Sequence, residues 1–169
     1  WAAIDAAAAS AAGRAQLASI FRLCAPLDEP LGGQAQRPPP PPTEGDVAAR
    51  LKALLLNVFD TLAMGNFPYP SSYLVFQQTR DPTVTLPAWP MRAACAHFAA
   101  ANRSEPAALL SAMAAAAGVL YNASGRAACY ELPESDLDGD DGIWDWQYCT
   151  QRLPQETYFN LSGASDMFW

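Results

Sequence analysis

Between Asp46 and Met64, apolar side chains recur every three or four residues, the spacing of one face of an α-helix. The face consists of Val47, Leu51, Leu54, Leu55, Val58, Phe59 and Leu62. Gly65 and Asn66 follow it, and both residue types commonly end helices. The pattern therefore predicts a helix over 46–64.

Helical spacing also extends over residues 2–23, where Gly13 is a weak point in an otherwise continuous pattern. No segment shows the alternation of β-branched and polar residues that is typical of a strand. The sequence therefore predicts an all-α fold, a helical bundle, over the single domain 1–169. A proline-rich loop at 30–45 and an acidic loop at 130–142 interrupt it.

Two later helices are predicted to begin with a proline in the first turn, where its missing N–H is harmless. The first follows Pro90 and carries Met91, Cys95 and Phe98 on one face. The second begins at Ser104 or Glu105, ahead of Pro106. Its apolar stripe consists of Leu109, Leu110, Met113, Ala117 and Leu120.

The charge pattern excludes several classes of function. The net charge is −7 and no cluster of lysines or arginines occurs, which argues against nucleic acid as a partner. The longest apolar run, 106–121, is short for a bilayer span, so no membrane partner is expected. Trp1 lies inside a helical pattern and the chain stops at Trp169 within a motif, so we expect a fragment of a longer protein.

Cysteines and glycosylation sequons indicate an oxidising compartment. The four cysteines are Cys24, Cys95, Cys129 and Cys149. They are widely spaced and the chain has one histidine, which argues against a metal site and leaves three possible pairings. The sequons begin at Asn102, Asn122 and Asn160. Together these features favour the secretory route, with glycosylation at all three asparagines.

Catalytic signatures are missing from the sequence. No Gly-x-Ser-x-Gly window is present, and such a window is what a nucleophile elbow requires. His97 is the only histidine, and no signature serine lies near it, so a structural or surface role is expected. We therefore predict no catalytic residue in this chain, and no cofactor.

The acidic loop resembles a calcium loop only in part. Asp136, Asp138 and Asp140 fit the first ligand positions of an EF-hand. However, Asp141 occupies the position of the required glycine and Gln147 that of the required glutamate. The loop is therefore interpreted as solvated, without a metal.

One carboxylate stands in an unusual setting. Asp145 lies between Trp144 and Trp146 in the segment 142–150. An ionised carboxylate among indoles loses hydration free energy unless a cation meets it. Asp145 is therefore a candidate binding residue, although it can also cap a turn or meet an arginine, with the indoles as core.

Several segments, taken in order, resemble the lysosomal Pro-Xaa carboxypeptidase and dipeptidyl peptidase II group of serine peptidases. They are FRLCAPL (21–27), LAMGNFPYPSSYL (62–74), LPAWPMRAAC (86–95), LYNASGRAACYEL (120–132), WDWQYCTQ (144–151) and SDMF (165–168). Their details look most similar to the dipeptidyl peptidase II branch. The resemblance implies a helical cap domain inserted into an α/β-hydrolase domain that is absent here, with the Ser-Asp-His triad outside this chain.

The resemblance also implies roles for particular residues. Cys24 pairs with Cys129, whereas Cys95 and Cys149 pair with cysteines outside the chain. Asp145 binds the free amino terminus of a peptide substrate, and Trp144 and Trp146 form an apolar wall suited to proline or alanine. The missing hydrolase domain is the expected partner, and assembly into a homodimer is left open. The expected location is the secretory pathway, in a lysosome or vacuole or outside the cell.

Three functions remain alternatives at this stage. The first is the cap of an exopeptidase that releases dipeptides after a penultimate proline or alanine. The second is the cap of a Pro-Xaa carboxypeptidase, which needs a cation for the substrate carboxylate. The third is a non-enzymatic, disulfide-stapled helical binding module. Gln151 departs from the glutamate that is usual in the family, so a role for that acid does not carry over.

Overall fold

The computed structural model describes residues 1–27, 44–102 and 104–132 together with Thr150. At 44–47, Gln77 and Gln78 it describes the backbone alone. The helices in this part of the chain are α1 (Ala2–Ala8), α2 (Ala11–Ile20), α3 (Glu44–Met64), α4 (Phe76–Thr79), α5 (Pro90–Ala100) and α6 (Pro106–Tyr121). The described residues contain two isolated β-bridges, and none of them forms a β-strand of two or more residues. The all-α prediction is therefore confirmed.

The long helix α3 lies at the centre of the packing, where it contacts α1, α5 and α6. Its buried face is formed by Ala48, Leu51, Leu54, Leu55, Val58 and Leu62. Phe59 is half-buried, and its ring lies 6.2 Å from that of Phe98 on α5. The apolar spacing thus predicted both the helix and the face that it buries, because a helix of this length is stabilised mainly by packing.

Helices α5 and α6 form the most extensive helix pair, and α6 also packs against α1, α2 and α3. Pro90 and Pro106 each occupy the first turn, as predicted. The buried face of α6 consists of Leu110, Ala112, Met113, Ala116, Ala117 and Leu120. On α5 only Pro90 and Ala94 are buried, whereas Cys95 is exposed. On the predicted α5 face, Met91 and Phe98 are half-buried whereas Cys95 is open to solvent.

The predicted helix over 2–23 is two helices in the structure, which is a correction. The break lies at Ala9 and Ser10 rather than at Gly13. Ser10 is the N-cap of α2, and its hydroxyl accepts the N–H of Gly13 at 3.0 Å. The chain reverses at this point, and α1 packs directly against α2. The alanine spacing runs across the break without interruption, and the one local signal, the capping residue Ser10, was not used in the prediction.

Polar groups are satisfied throughout the described interior. No polar or charged residue in this part of the chain is buried, and no buried side-chain nitrogen or oxygen lacks a partner. Lys52 on α3 and Asp5 on α1 form an ion pair at 2.6 Å between helices that are already in contact. No described helix combines the length and the apolar character needed to cross a bilayer.

Candidate functional site

The predicted substrate-binding residues Trp144, Asp145 and Trp146 lie outside the described residues. The same is true of Cys149, Gln151 and Asn160, of the proline-rich loop up to residue 43, and of the acidic loop from residue 133. The structure therefore does not test these three residues as a substrate-binding set, which we call the substrate clamp. It does describe the framework to which the clamp is joined, and that framework is built from α2, α6 and the segment 122–132.

A disulfide joins Cys24 and Cys129, as the resemblance implied, with an S–S distance of 2.07 Å. It links the residues after α2 to the residues after α6. A short parallel bridge accompanies it, in which Tyr130 donates its N–H to the carbonyl of Arg22 and accepts that of Cys24, both at 2.9 Å. Covalent and hydrogen bonds thus hold the start of the segment 130–132, which leads towards Asp145, against α2.

Hydrogen bonds from the Arg22 side chain also hold this junction together. Its backbone has a φ of 49°, in the left-handed region that non-glycine residues rarely occupy. Its guanidinium nitrogen Nη2 donates to the carbonyls of Ala127 and Ala128 at 3.0 and 2.9 Å. Because a charged donor makes stronger hydrogen bonds than a neutral one, this contact offsets the backbone strain.

A groove of about 510 Å³ runs along α6 beside this junction. Its polar lining comes from Arg22, His97, Ser111, Asn122 and Tyr130, and its floor from alanines and Gly118 of α6. Ser111 donates its hydroxyl to the carbonyl of Ala107 at 2.8 Å, so the hydroxyl is used within its own helix. Among the described residues that line the groove there is no carboxylate. His97 is exposed and lines the groove, and the described residues assemble no Ser-His-Asp geometry there.

Burial affects one ionisable side chain next to the groove. The pKa of Tyr121 is raised because its phenol is partly withdrawn from water. The hydroxyl donates to the Asn57 side-chain carbonyl at 3.4 Å, and the ring lies 6.0 Å from that of Tyr130. This pair of tyrosines connects α3 to the disulfide-linked segment. Its role in the described part of the chain is structural.

The remaining predicted modification residues are accessible to different degrees. Cys95 has a free thiol in this structure and is exposed. The prediction that it is not bonded to Cys149 is untested, because Cys149 lies outside the described residues. A bond from Cys95 to a cysteine outside the chain stays a prediction. Asn102 is exposed in the turn between α5 and α6, whereas Asn122 is half-buried and accepts the N–H of Ala127 at 3.0 Å.

The accessibility of Asn102 leads to a test of glycosylation. Its side-chain oxygen accepts the N–H of Ser104 at 3.1 Å, which holds the sequon in an exposed turn. When the protein is expressed through the secretory route, we expect Asn102→Gln to remove one glycan. The measurement is the mass before and after enzymatic deglycosylation. Asn57→Gln is the control, since Asn57 begins no sequon and its replacement should leave the glycan mass unchanged.

Large apolar side chains are exposed along the stretch 64–89 of the chain. They are Met64, Tyr69, Tyr73, Phe76 and Trp89, and we call this set the aromatic edge. The turn at Phe67 and the residue before α5 are joined by a hydrogen bond from the Trp89 N–H to the Phe67 carbonyl at 2.7 Å. The rings of Phe67 and Tyr69 stack with their centroids 5.5 Å apart. Spacing did not predict this edge, because apart from Met64 at the end of α3 its residues lie in turns, in a four-residue helix and just before α5.

Comparison with known proteins finds similarity to lysosomal Pro-X carboxypeptidases, one of the two kinds of enzyme in the group that the sequence blocks resemble. The chain is 30% identical to the lysosomal Pro-X carboxypeptidase of Mus musculus and 28% identical to that of Homo sapiens, each over 169 residues. A Caenorhabditis elegans protein whose name describes a serine protease is 30% identical over 129 residues, 70% of this chain. No family model matches. The alignments cover 99% of this chain but 28% of the two mammalian proteins. This similarity across nearly the whole chain supports a relation to the Pro-Xaa carboxypeptidase family of serine peptidases.

Proposed function

We propose that this chain is the helical cap of a serine exopeptidase that acts beside proline or alanine in the lysosome or elsewhere in the secretory pathway. One observation carries the proposal: the similarity to lysosomal Pro-X carboxypeptidases extends over 99% of the chain. The chain spans 28% of the length of those relatives. In this proposal the triad belongs to the part of the protein outside the chain, as the family resemblance implies. The helical fold and the disulfide Cys24–Cys129 agree with a cap in an oxidising compartment.

A cap helps an exopeptidase in two physical ways. It closes the cleft beyond the terminal residues of the substrate, so only a chain end fits. It also offers a charge opposite the terminal ammonium or carboxylate, where a charge-assisted hydrogen bond in a desolvated cleft is strong. The framework described here suits that task, because the disulfide and the contacts of Arg22 fix the segment that precedes Asp145.

Asp145 is the residue that we assign to this charge. In the proposed mechanism its carboxylate binds the α-ammonium group of the substrate, two residues from the scissile bond. Trp144 and Trp146 supply an apolar wall against which a proline or alanine side chain packs. The serine, histidine and aspartate of the missing domain then carry out acyl transfer. The released product is a dipeptide.

The names of the relatives favour a second candidate, the cap of a carboxypeptidase that removes the residue after proline. Such an enzyme needs a cation for the substrate carboxylate. In the part of the chain that the structure describes, the Arg22 guanidinium already donates to two backbone carbonyls. A carboxylate at Asp145 would repel the substrate terminus, so we place this candidate second.

Replacing Asp145 by asparagine in the full-length enzyme tests the choice. We expect kcat/KM for Lys-Ala and Lys-Pro amides to fall by an amount equivalent to roughly 2–4 kcal/mol, because a buried charge pair is lost. Glu131→Gln is the matched control, since it removes the same charge from an exposed carboxylate and should leave kcat/KM unchanged. Unchanged kcat/KM in Asp145→Asn would rule out the clamp. Wild-type activity on Pro-Xaa acids with none on the amides would favour the carboxypeptidase.

A further inference from the structure

The side chains of the aromatic edge expose much of their apolar surface to solvent. Tyr73 is 73% exposed, Met64 62% and Tyr69 57%, while the described interior buries its aliphatic side chains almost completely. Scattered apolar residues on a surface are ordinary. Here, however, every large hydrophobic residue identified as exposed in the described part lies between positions 64 and 89. Such a concentration marks an interaction surface.

The edge has a fixed shape. Ser71 and Leu86 form an antiparallel bridge, with N–H···O distances of 3.2 and 2.9 Å in the two directions. The Asn66 side-chain oxygen accepts the N–H of Met91 at 3.3 Å, which ties the end of α3 to the start of α5. Leu86 and Val75 are buried beneath these turns. The exposed rings are therefore held by ordered backbone, and little ordering entropy is lost when a partner covers them.

Backbone strain points to the same place. The non-glycine residues with positive φ in the described chain are Arg22, Arg80 and Trp89. Arg22 is explained by the disulfide junction. Trp89 has φ 54° and ψ 60°, an unfavourable conformation for a bulky residue, and its indole is 40% exposed. Strain that places an indole in solvent adds nothing to the stability of a free domain, and such strain is typical of functional surfaces.

Two arginines, Arg80 and Arg92, lie in or just after the same stretch of chain, in a protein whose net charge is −7. The Arg92 guanidinium lies 5.8 Å from the Trp89 ring centroid. Arg80 follows α4 and donates its N–H to the carbonyl of Phe76 at 2.7 Å. The neighbouring carboxylate of Asp81 accepts two hydrogen bonds from Thr83, and these lower the pKa of Asp81. A partner for this surface needs apolar groups, and an acceptor for Arg92 beside Trp89.

We propose that the aromatic edge is the surface on which this chain docks against the part of the longer protein outside these 169 residues. The length of the relatives supports that occupant, since the chain spans 28% of them. A second copy fits less well, because a two-fold contact through this surface brings Arg80 and Arg92 of both copies together. The inference rests on the proposed function for the nature of the partner, but its test does not depend on activity.

The test uses the full-length protein and hydroxyl-radical footprinting of the wild type. Tyr73 reacts in proportion to its exposure to solvent, and a short peptide with the sequence of residues 70–77 gives the unprotected rate. Docking is expected to protect Tyr73 at least about fivefold, because residues at the core of an interface are buried as in protein interiors. A rate close to that of the peptide overturns the proposal. This measurement needs no variant and no substrate.

Two variants complete the test. Tyr73→Ser is expected to lower the melting temperature of the full-length protein by several degrees and to speed limited proteolysis, since interface tyrosines are often hot spots. Ala96→Ser, on an exposed position of α5, is the control and should change neither. Arg80→Glu should lower the melting temperature of the full-length protein more at low salt than at high salt, because its effect is electrostatic.

Other outcomes separate the alternatives. If Tyr73→Ser raises KM for peptide substrates and leaves melting and proteolysis unchanged, the edge faces the substrate and the docking proposal fails. If the variant converts a dimer to a monomer of unchanged melting temperature, the occupant is a second copy and the proposal also fails. If Tyr73 is protected but no exopeptidase activity is found, docking stands and the proposed function fails.

Discussion

Replacing Cys24 and Cys129 together by serine is expected to lower the free energy of unfolding by about 3–5 kcal/mol. The bond closes a loop with a sequence separation of 105 residues. Loss of the bond restores the entropy of that loop to the unfolded chain, and for about 100 residues this term is about 4.7 kcal/mol. The hydrogen bonds of Tyr130 and Arg22 at the junction remain and do not replace it, because they act on the folded state only.

Urea denaturation of the oxidised protein measures this effect. Ala99→Ser, on the exposed surface of α5, is the control and should shift the free energy of unfolding by less than about 0.5 kcal/mol. Wild-type protein in which the Cys24–Cys129 bond has been reduced should have the same free energy of unfolding as the double variant. A double variant as stable as the oxidised wild type would show that the junction contributes no constraint and would contradict the disulfide.

Replacing Gly13 by alanine is the second change with a large expected effect. In an ordinary helix this change stabilises the protein, because alanine loses less backbone entropy than glycine. At Gly13, however, a Cβ atom would lie 1.9 Å from the carbonyl oxygen of Ala7 and 2.8 Å from its carbonyl carbon. Both atoms belong to the α1 backbone and cannot rotate away. We expect a destabilisation of about 2–3 kcal/mol as α1 and α2 are forced apart.

Gly118 provides a matched control for this prediction. It also lies inside a helix, but a Cβ there would meet only the Tyr130 hydroxyl, at 3.8 Å. Gly118→Ala should therefore leave stability unchanged or raise it by up to about 1 kcal/mol. Chemical denaturation of the two variants decides the matter. Equal stabilisation by both substitutions would mean that α1 and α2 do not approach as closely as the structure shows.

Helices with strong local signals were predicted well. The apolar spacing of α3 and the prolines at the start of α5 and α6 are properties of a few neighbouring residues, and the structure confirms them. The short helix α4 was missed, because four residues are too few to show a period. The break between α1 and α2 was missed because Ala9 is a good helix former and the helical spacing continues across it, although Ser10 is a capping residue.

The candidate site shows the same division. The order of the sequence blocks indicated the family and the disulfide Cys24–Cys129, since each block is a local arrangement of residues. The groove along α6, the fastening of Ala127 and Ala128 by Arg22, and the aromatic edge were not predicted. Each depends on contacts between residues that are distant in the chain. The roles of Trp144, Asp145 and Trp146 remain predictions, because they lie outside the described residues.

By itself, the sequence determined that the chain is helical, most of the residues of α3 and α6 that face the core, and which group of peptidases it resembles. These depend on helical period, on proline and glycine chemistry, and on short motifs. The tertiary structure alone decided that Gly13 must lack a side chain and that Trp89 stands strained at an exposed edge. The physical reason is that excluded volume and backbone strain arise only when separate segments meet, as α1 meets α2 and as Phe67 meets Trp89.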